Sequence, residues 1–124
     1  PAIDIMKDMI AFFERSFAIA DKAGLSRERI VLDPGIGFGK TPEQSMIALA
    51  RLGELSPFGR PILVGASRKR FIASVSPSEP RQRIGGSLAA HLLAVQKCAR
   101  IIPAHRVFET VQALRVTAAI GDQR

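Results

Sequence analysis

Tryptophan and tyrosine are absent from this chain of 124 residues, and cysteine occurs once, at Cys98. Without Trp and Tyr the chain lacks the usual stacking platforms for RNA or single-stranded DNA, and its seven Phe fall mostly at helical core spacing. A single cysteine excludes an internal disulfide framework and predicts an intracellular protein. Charges interrupt every apolar run well short of the ~18 residues a membrane-spanning helix needs, and no secretory signal pattern opens the chain. A soluble, cytoplasmic protein without membrane contact is therefore expected. The first residue is Pro rather than Met, as in a processed, proteolysed or cloned piece of a longer chain.

Acidic residues are also scarce, 11 against 18 Lys and Arg, for a net charge of +7. An anionic partner is implied: nucleic acid, membrane or a phosphorylated small molecule. Residues 1–59 are close to neutral, whereas residues 60–83 carry six cations and one acid. The excess begins at Arg60. The size suits one domain, and 47% apolar residues are enough for a packed core.

Ile3, Met6, Ile10, Phe13, Phe17 and Ala20 recur at steps of three and four, which predicts an amphipathic helix closed at Ala23-Gly24. Ile30-Val31-Leu32 reads as a buried strand running into a glycine-rich turn. Thr41-Pro42-Glu43-Gln44 combines an N-cap, a first-turn proline and a capping-box glutamine, predicting a second helix to about Leu55. Ile62-Leu63-Val64 predicts a second strand, Ser74 to Pro80 a loop, and roughly Arg81 to Ala99 a third helix. Gly85-Gly86 inside that helix points to close packing or ligand approach. Arg100-Ile101-Ile102 is the third expected strand, and Val107 to Ile120 the fourth helix.

This is an α/β order with the tempo of a βα repeat, so the strands should be parallel, with all their C-terminal ends at one face. Polar groups fall at those ends at a constant interval of 36 residues: Asp33, Lys69 and His105. Asp33 to Thr41 follows a strand and ends in Gly-Lys-Thr, but a phosphate-binding P-loop needs glycine where Pro34 stands. A dinucleotide fingerprint needs glycine where Lys40 stands. A ligand-free turn and a binding loop both stay open for this segment. Gly65-Ala66-Ser67-Arg68-Lys69 holds the equivalent place on the next strand, and Arg68 to Arg70 reads as either a solvated charge run or a binding loop. A carboxylate at Asp33 and an ammonium at Lys69 complement a 2-amino-4-oxo heterocycle such as a pterin or guanine. His105, beside Arg106, is open between a structural and a catalytic role, whereas His91, on an apolar stripe with Leu88 and Leu92, reads as a core histidine. No Cys/His spacing suits a metal, and Cys98 has no base partner in the sequence.

Three segments, Ile30-Val31-Leu32-Asp33-Pro34-Gly35-Ile36-Gly37-Phe38-Gly39-Lys40, Leu63-Val64-Gly65-Ala66-Ser67-Arg68-Lys69-Arg70 and Gly86-Ser87-Leu88-Ala89-Ala90, together resemble dihydropteroate synthase. The resemblance covers essentially all of residues 1–124, read as the C-terminal part of that pterin-binding domain. It implies a TIM barrel, (β/α)8, present here as a partial barrel of about three parallel strands and four helices. It also implies condensation of 6-hydroxymethyl-7,8-dihydropterin pyrophosphate with para-aminobenzoate, with Mg2+, its ligands expected outside this chain, assisting the leaving group and sulfonamides competing with the aminobenzoate. By motif, Asp33 and Lys69 would be the catalytic pair that anchors the pterin. Phe38 and Gly65 would line the aminobenzoate side, Ser67 and Arg68 would lie near its carboxylate, and His105 would meet the pyrophosphate.

The chain departs from the family pattern after its last strand. Arg-x-His-Asp is replaced by Pro103-Ala104-His105-Arg106, and Cys98 and Phe108 stand where small residues are usual. Proline contributes neither charge nor donor to a pyrophosphate. Three strands do not close an eight-stranded barrel, and exposed edges favour self-association, as a homodimer or larger. These 124 residues alone are thus expected to be inactive or nearly so. The competing expectation is a non-catalytic half-barrel for binding or self-assembly. A basic nucleic-acid binder is the third, disfavoured because the cations lie in loops beside a substrate-like motif rather than in a reading element.

Overall fold

In a computed structural model, residues 4–123 are described; Ile3, the first position of the predicted apolar stripe, lies outside them. Helix α1 (Ile5–Lys22) starts where the Asp4 side chain accepts from the Lys7 amide. Its buried face is Met6, Met9, Phe13 and Phe17, with Ile10 and Ala20 half-buried at the margin. Phe13 and Phe17 both pack on Phe58, edge-on at 5.8 Å and stacked at 5.4 Å.

Helix α2 (Pro42–Ala50) has both halves of its capping box, Thr41 Oγ1 accepting from Gln44 N–H and Gln44 Oε1 from Thr41 N–H. It stops at Ala50 rather than near Leu55, and a 3₁₀ stretch, Leu52–Phe58, takes over. The tighter winding tolerates Pro57 and still buries Leu52 and Leu55 completely.

Two of the three expected strands are shorter than expected, and the third keeps its three residues but begins one earlier, at Ala99. β1 (Ile62–Leu63) and β2 (Ala99–Ile101) pair in parallel, with Ile62 opposite Ala99 and Leu63 opposite Ile101. The strand expected at Ile30–Leu32 is reduced to a parallel bridge between Leu32 and Ile62. Leu32 N–H donates to Pro61 and its carbonyl accepts from Leu63, but Ile30 N–H is spent in a turn on Arg27 and Pro34 has none to give. Val31, expected to be buried, is exposed, since among the described residues this edge pairs with strand on one side only. Parallel direction and crossover helices are as expected.

Among the described residues there are five α-helices rather than four. The extra one, α3 (Arg70–Val75), begins directly after Lys69, and the Ser- and Pro-rich loop follows it. Helix α4 (Ile84–Gln96) is shorter than the predicted Arg81–Ala99, because Pro80–Gln82 winds as a separate 3₁₀ turn and Cys98 leaves the helix at φ +81°. Helix α5 (Val107–Gly121) buries only Thr110 and leaves Val107, Phe108, Val116 and Ile120 exposed. The core lies between α1, α2 and the strands, centred on Ile36, Leu52, Leu55, Ile62 and Val64. Because all three chain passes run parallel, Asp33, the segment Gly65–Lys69 and His105 emerge at one face, where ligands bind in such folds.

Candidate functional site

The loop after Leu32 is shaped by its own polar atoms. Asp33 Oδ1 accepts from Gly35 N–H at 2.8 Å, closing an Asx turn, and Gly37 N–H donates to the buried Ser45 Oγ at 3.1 Å. Gly35, Gly37 and Gly39 all have positive φ, between +62° and +83°. Gly37 is required twice over: its φ is +83°, and a Cβ there would sit 3.2 Å from Lys69 Cδ. The absent side chain lets the Lys69 stem cross the loop, so that Nζ reaches 4.4 Å from the centre of the Phe38 ring. Phe38 is 73% exposed, a large apolar face held beside a cation at the functional end.

Lys40 points back and donates to the Gly35 carbonyl at 3.3 Å. Burial pushes its ammonium below the ordinary lysine range, against the opposing pull of Asp33. Asp33 is exposed and, among the described residues, forms no ion pair with Lys69.

The loop after β1 meets the loop after β2 through a hydroxyl. Ser67 is buried, and its Oγ lies 2.8 Å from His105 Nδ1 while accepting from the His105 amide at 3.3 Å. Gly65, Ser67, Lys69, Pro103, Ala104 and His105 line a cleft of about 280 Å³. A second cleft of about 170 Å³ has Lys40, Arg68, Lys69 and Arg70 on its walls, with Gly37 and Ser45. Lys69 is common to both. The second is lined by four cations and no acid, which suits an anionic ligand group. Of the predicted site residues, Gly65, Ser67, Lys69 and His105 gather at the first cleft, Arg68 at the second, and Phe38 against Lys69.

A more voluminous, apolar cavity lies elsewhere. About 540 Å³ between α2, α3 and α4, it is lined by groups such as Leu49, Phe71, Ile72 and Leu93 and by almost no polar atoms, and it is remote in chemistry from the strand-end loops.

His91 is the core histidine the sequence predicts. It is 1% exposed, its Nδ1 lies 3.2 Å from Thr110 Oγ1, and burial pushes its pKa down. Cys98 is exposed. Gly85 and Gly86 separate into two cases. A Cβ on Gly86 would fall 2.4 Å from Ile72 Cγ2, which is close packing, while Gly85 has open space.

Sequence reading missed Arg83, Ser87 and Ser45, which hold the loop backbones. Arg83 and Ser87 touch Arg68 from 15 and 19 residues away. The Gly86-Ser87 pair marked the place, but no local signal identifies Arg83. The donor set does not fit the Mg2+ implied by resemblance. Among the described residues no three His, Cys, Asp or Glu side chains gather, and the carboxylate of Asp33 has Lys40 as its charged neighbour rather than a second oxygen ligand.

Residues 2–105 match the family model of pterin binding enzymes. The dihydropteroate synthase of Escherichia coli is 40% identical over 116 residues, which is 94% of this chain and 41% of that protein. That of Haemophilus influenzae is 37% identical over 119 residues, covering 96% of this chain and 43% of the other. Among solved structures, a Xanthomonas albilineans dihydropteroate synthase with 4-aminobenzoic acid superposes with TM-score 0.93 at 39% identity, over 100% of this chain and 46% of that one. A Yersinia pestis dihydropteroate synthase in a sulfonamide drug complex gives 0.92 at 36% identity, over 100% and 45%. The chain thus spans less than half the length of the relatives it matches. With residues 2–105 matched by the family model and the chain superposing on solved dihydropteroate synthases over its length, the chain belongs to the pterin-binding enzyme family and has their barrel-type fold in part.

Proposed function

We propose that the chain supplies the pterin and aminobenzoate face of a dihydropteroate synthase. Such an enzyme is a cytoplasmic transferase that joins 6-hydroxymethyl-7,8-dihydropterin pyrophosphate to para-aminobenzoate. The observation that carries the reading is the meeting of Gly65, Ser67, Lys69 and His105 on one cleft at the C-terminal ends of parallel strands. Lys69 donates from Nζ to the pterin carbonyl and ring nitrogen, and the Asp33 carboxylate accepts from the amino group and ring N–H. Phe38 offers its ring to the aminobenzoate, whose carboxylate turns toward Arg68 and the other cations of the second cleft. His105 and Arg106 lie where the pyrophosphate leaves.

In this reading the C–O bond to pyrophosphate breaks and the aminobenzoate nitrogen forms the new C–N bond with loss of a proton. The protein positions both partners and offsets the charge on the leaving group rather than forming a covalent intermediate. No step is assigned to Mg2+, because the described residues do not gather ligands for it. These 124 residues alone are proposed not to turn over substrate, since fewer than half of the relatives' residues are present.

Titration calorimetry with the pterin pyrophosphate followed by para-aminobenzoate tests the reading. Saturable pterin binding that disappears in Asp33→Ala is expected; no pterin binding by the unaltered chain sinks it. A second reading, a half-barrel that associates with itself without catalysis, is favoured by the exposed apolar side chains of α5 and the open edge of β2. Stable dimers in sedimentation, with no pterin affinity, would select it.

A further inference from the structure

Arg68 has φ +58°, in the left-handed region that a bulky L residue seldom adopts. Its two backbone polar groups are both held from one direction. The amide donates to Ser87 Oγ at 2.9 Å, and the carbonyl accepts from Arg83 Nη1 at 2.9 Å. Arg83 is itself 8% exposed and, among the described residues, has no carboxylate partner; its Nε and Nη2 donate to the Ser78 carbonyl at 3.2 and 2.7 Å. A buried guanidinium spent on two main-chain carbonyls fixes backbone rather than binding an anion. Ser87, 3% exposed, sits one turn along α4 from Arg83. Between them on the same turn, Gly86 admits Ile72 of α3, the helix that Lys69 caps.

We propose that Arg83 and Ser87 are positioning residues: they hold Arg68 in its left-handed conformation and so set Ser67 against His105 on one side and Lys69 against Phe38 on the other. Neither Arg83 nor Ser87 lines the two clefts at the strand ends. Without the clamp, residue 68 relaxes to negative φ, and the directions of both neighbouring side chains change together. What those side chains do rests on the functional reading above; the clamp itself does not.

Amide hydrogen exchange and the HN–Hα coupling of residue 68, measured on the unliganded 124-residue chain, test the clamp in Ser87→Ala and Arg83→Met. Each variant is expected to speed exchange at Arg68 about tenfold, the loss of one hydrogen bond, and to move the coupling away from its left-handed value. The sheet amides of Leu63 and Val64 should keep their protection. Unchanged exchange and coupling at residue 68 in both variants overturns the proposal. Where Arg83→Met unfolds the chain and Leu63 and Val64 exchange freely, Arg83→Met/Arg68→Gly decides. Glycine takes the left-handed conformation unaided, so recovered strand protection supports the clamp and no recovery overturns it.

These readouts need no ligand, so a chain that binds no pterin defeats the functional reading and leaves this one standing or falling by exchange. Where the unaltered chain binds 4-aminobenzoate, Ser87→Ala should raise Kd about tenfold. A change in exchange with no change in Kd overturns the positioning role.

Discussion

The loop after β1 and the loop after β2 face the same cleft but are built to different standards. In the first, residue 68 is tied through both its amide and its carbonyl, Ser67 is buried, and the Lys69 carbonyl accepts from Ile72 N–H at the start of a helix. In the second, Pro103 and His105 are exposed, and the ties to the first loop are the two contacts of His105 with Ser67 Oγ. Arg106 is half exposed and pairs with Glu109 of α5, a contact of little energetic weight. Groups that must meet a flat heterocycle from a fixed angle need a rigid backbone, because a small displacement costs orders of magnitude in rate. A cation that meets a pyrophosphate has looser demands, since charge acts over a longer range. The departures from the family pattern at Pro103 and Arg106 therefore fall on the loop that tolerates change.

Gly86 is where the stiffness of the first loop is most easily broken. Adding a methyl puts Cβ 2.4 Å from Cγ2 of Ile72, a branched side chain with little rotamer freedom on α3. Gly→Ala in a helix interior ordinarily stabilises by roughly 0.5–1 kcal/mol. Gly86→Ala is expected to destabilise instead, by about 1–3 kcal/mol, as overpacking does. Gly85→Ala, next door and facing open space, should stabilise. Urea unfolding of the two variants decides the point: shifts of the same sign would mean that α3 is not held against α4 at Gly86.

The same contrast explains what could be read from sequence. The 36-residue interval of Asp33, Lys69 and His105, the capping box at Thr41 and the apolar stripe of α1 are local or periodic signals, and they survive folding. The clamp on Arg68 is tertiary. An arginine in the first turn of an expected helix carries no local sign of burial, and only the fold shows Arg83 buried against two carbonyls. The strand at Ile30–Leu32 was legible as an apolar run, but its length depends on partners that a single sequence does not display. Helix α3 escaped because six residues give too little periodicity to register. The crossing of Lys69 over Gly37 to Phe38 joins loops some 30 residues apart, and nothing in either loop announces it.

His91 couples the backing of the first loop to the helix that follows the second, through Nδ1 and Thr110 Oγ1. Its Nε2 is buried without a partner among the described residues, and Arg68, Arg81 and Arg106 line the small cavity beside it. Burial disfavours the imidazolium, so the folded chain takes up this proton at lower pH than the unfolded chain does. The stabilising effect is complete above the ordinary value of 6.5 and is lost as pH falls below it, toward the lower folded value. In unfolding measured between pH 7.5 and 5, His91 should contribute at most about 1.4 kcal/mol per pH unit to the slope, which is therefore expected to be shallower in His91→Gln. An unchanged slope in that variant would assign the pH dependence to other groups.

The smallest expected effect falls on the second loop. Pro103 lines the cleft with Lys69 and His105 but brings no charge and no N–H, so an anionic group at this end of the cleft has His105 and the neighbouring Arg106 to draw on. Pro103→Arg adds a guanidinium at an exposed position, where it gains a charge-assisted contact and loses side-chain entropy. Inorganic pyrophosphate should then bind about three- to tenfold more tightly at low ionic strength, with the gain shrinking as salt is raised. Stability should hardly move, because the backbone here is exposed and loosely tied. Pro103→Ala separates the two things the substitution does, removing the ring without adding charge. Equal affinities for the alanine and arginine variants would show that the ring, rather than the missing charge, limits the site, and the second loop would then be as exacting about its backbone as the first.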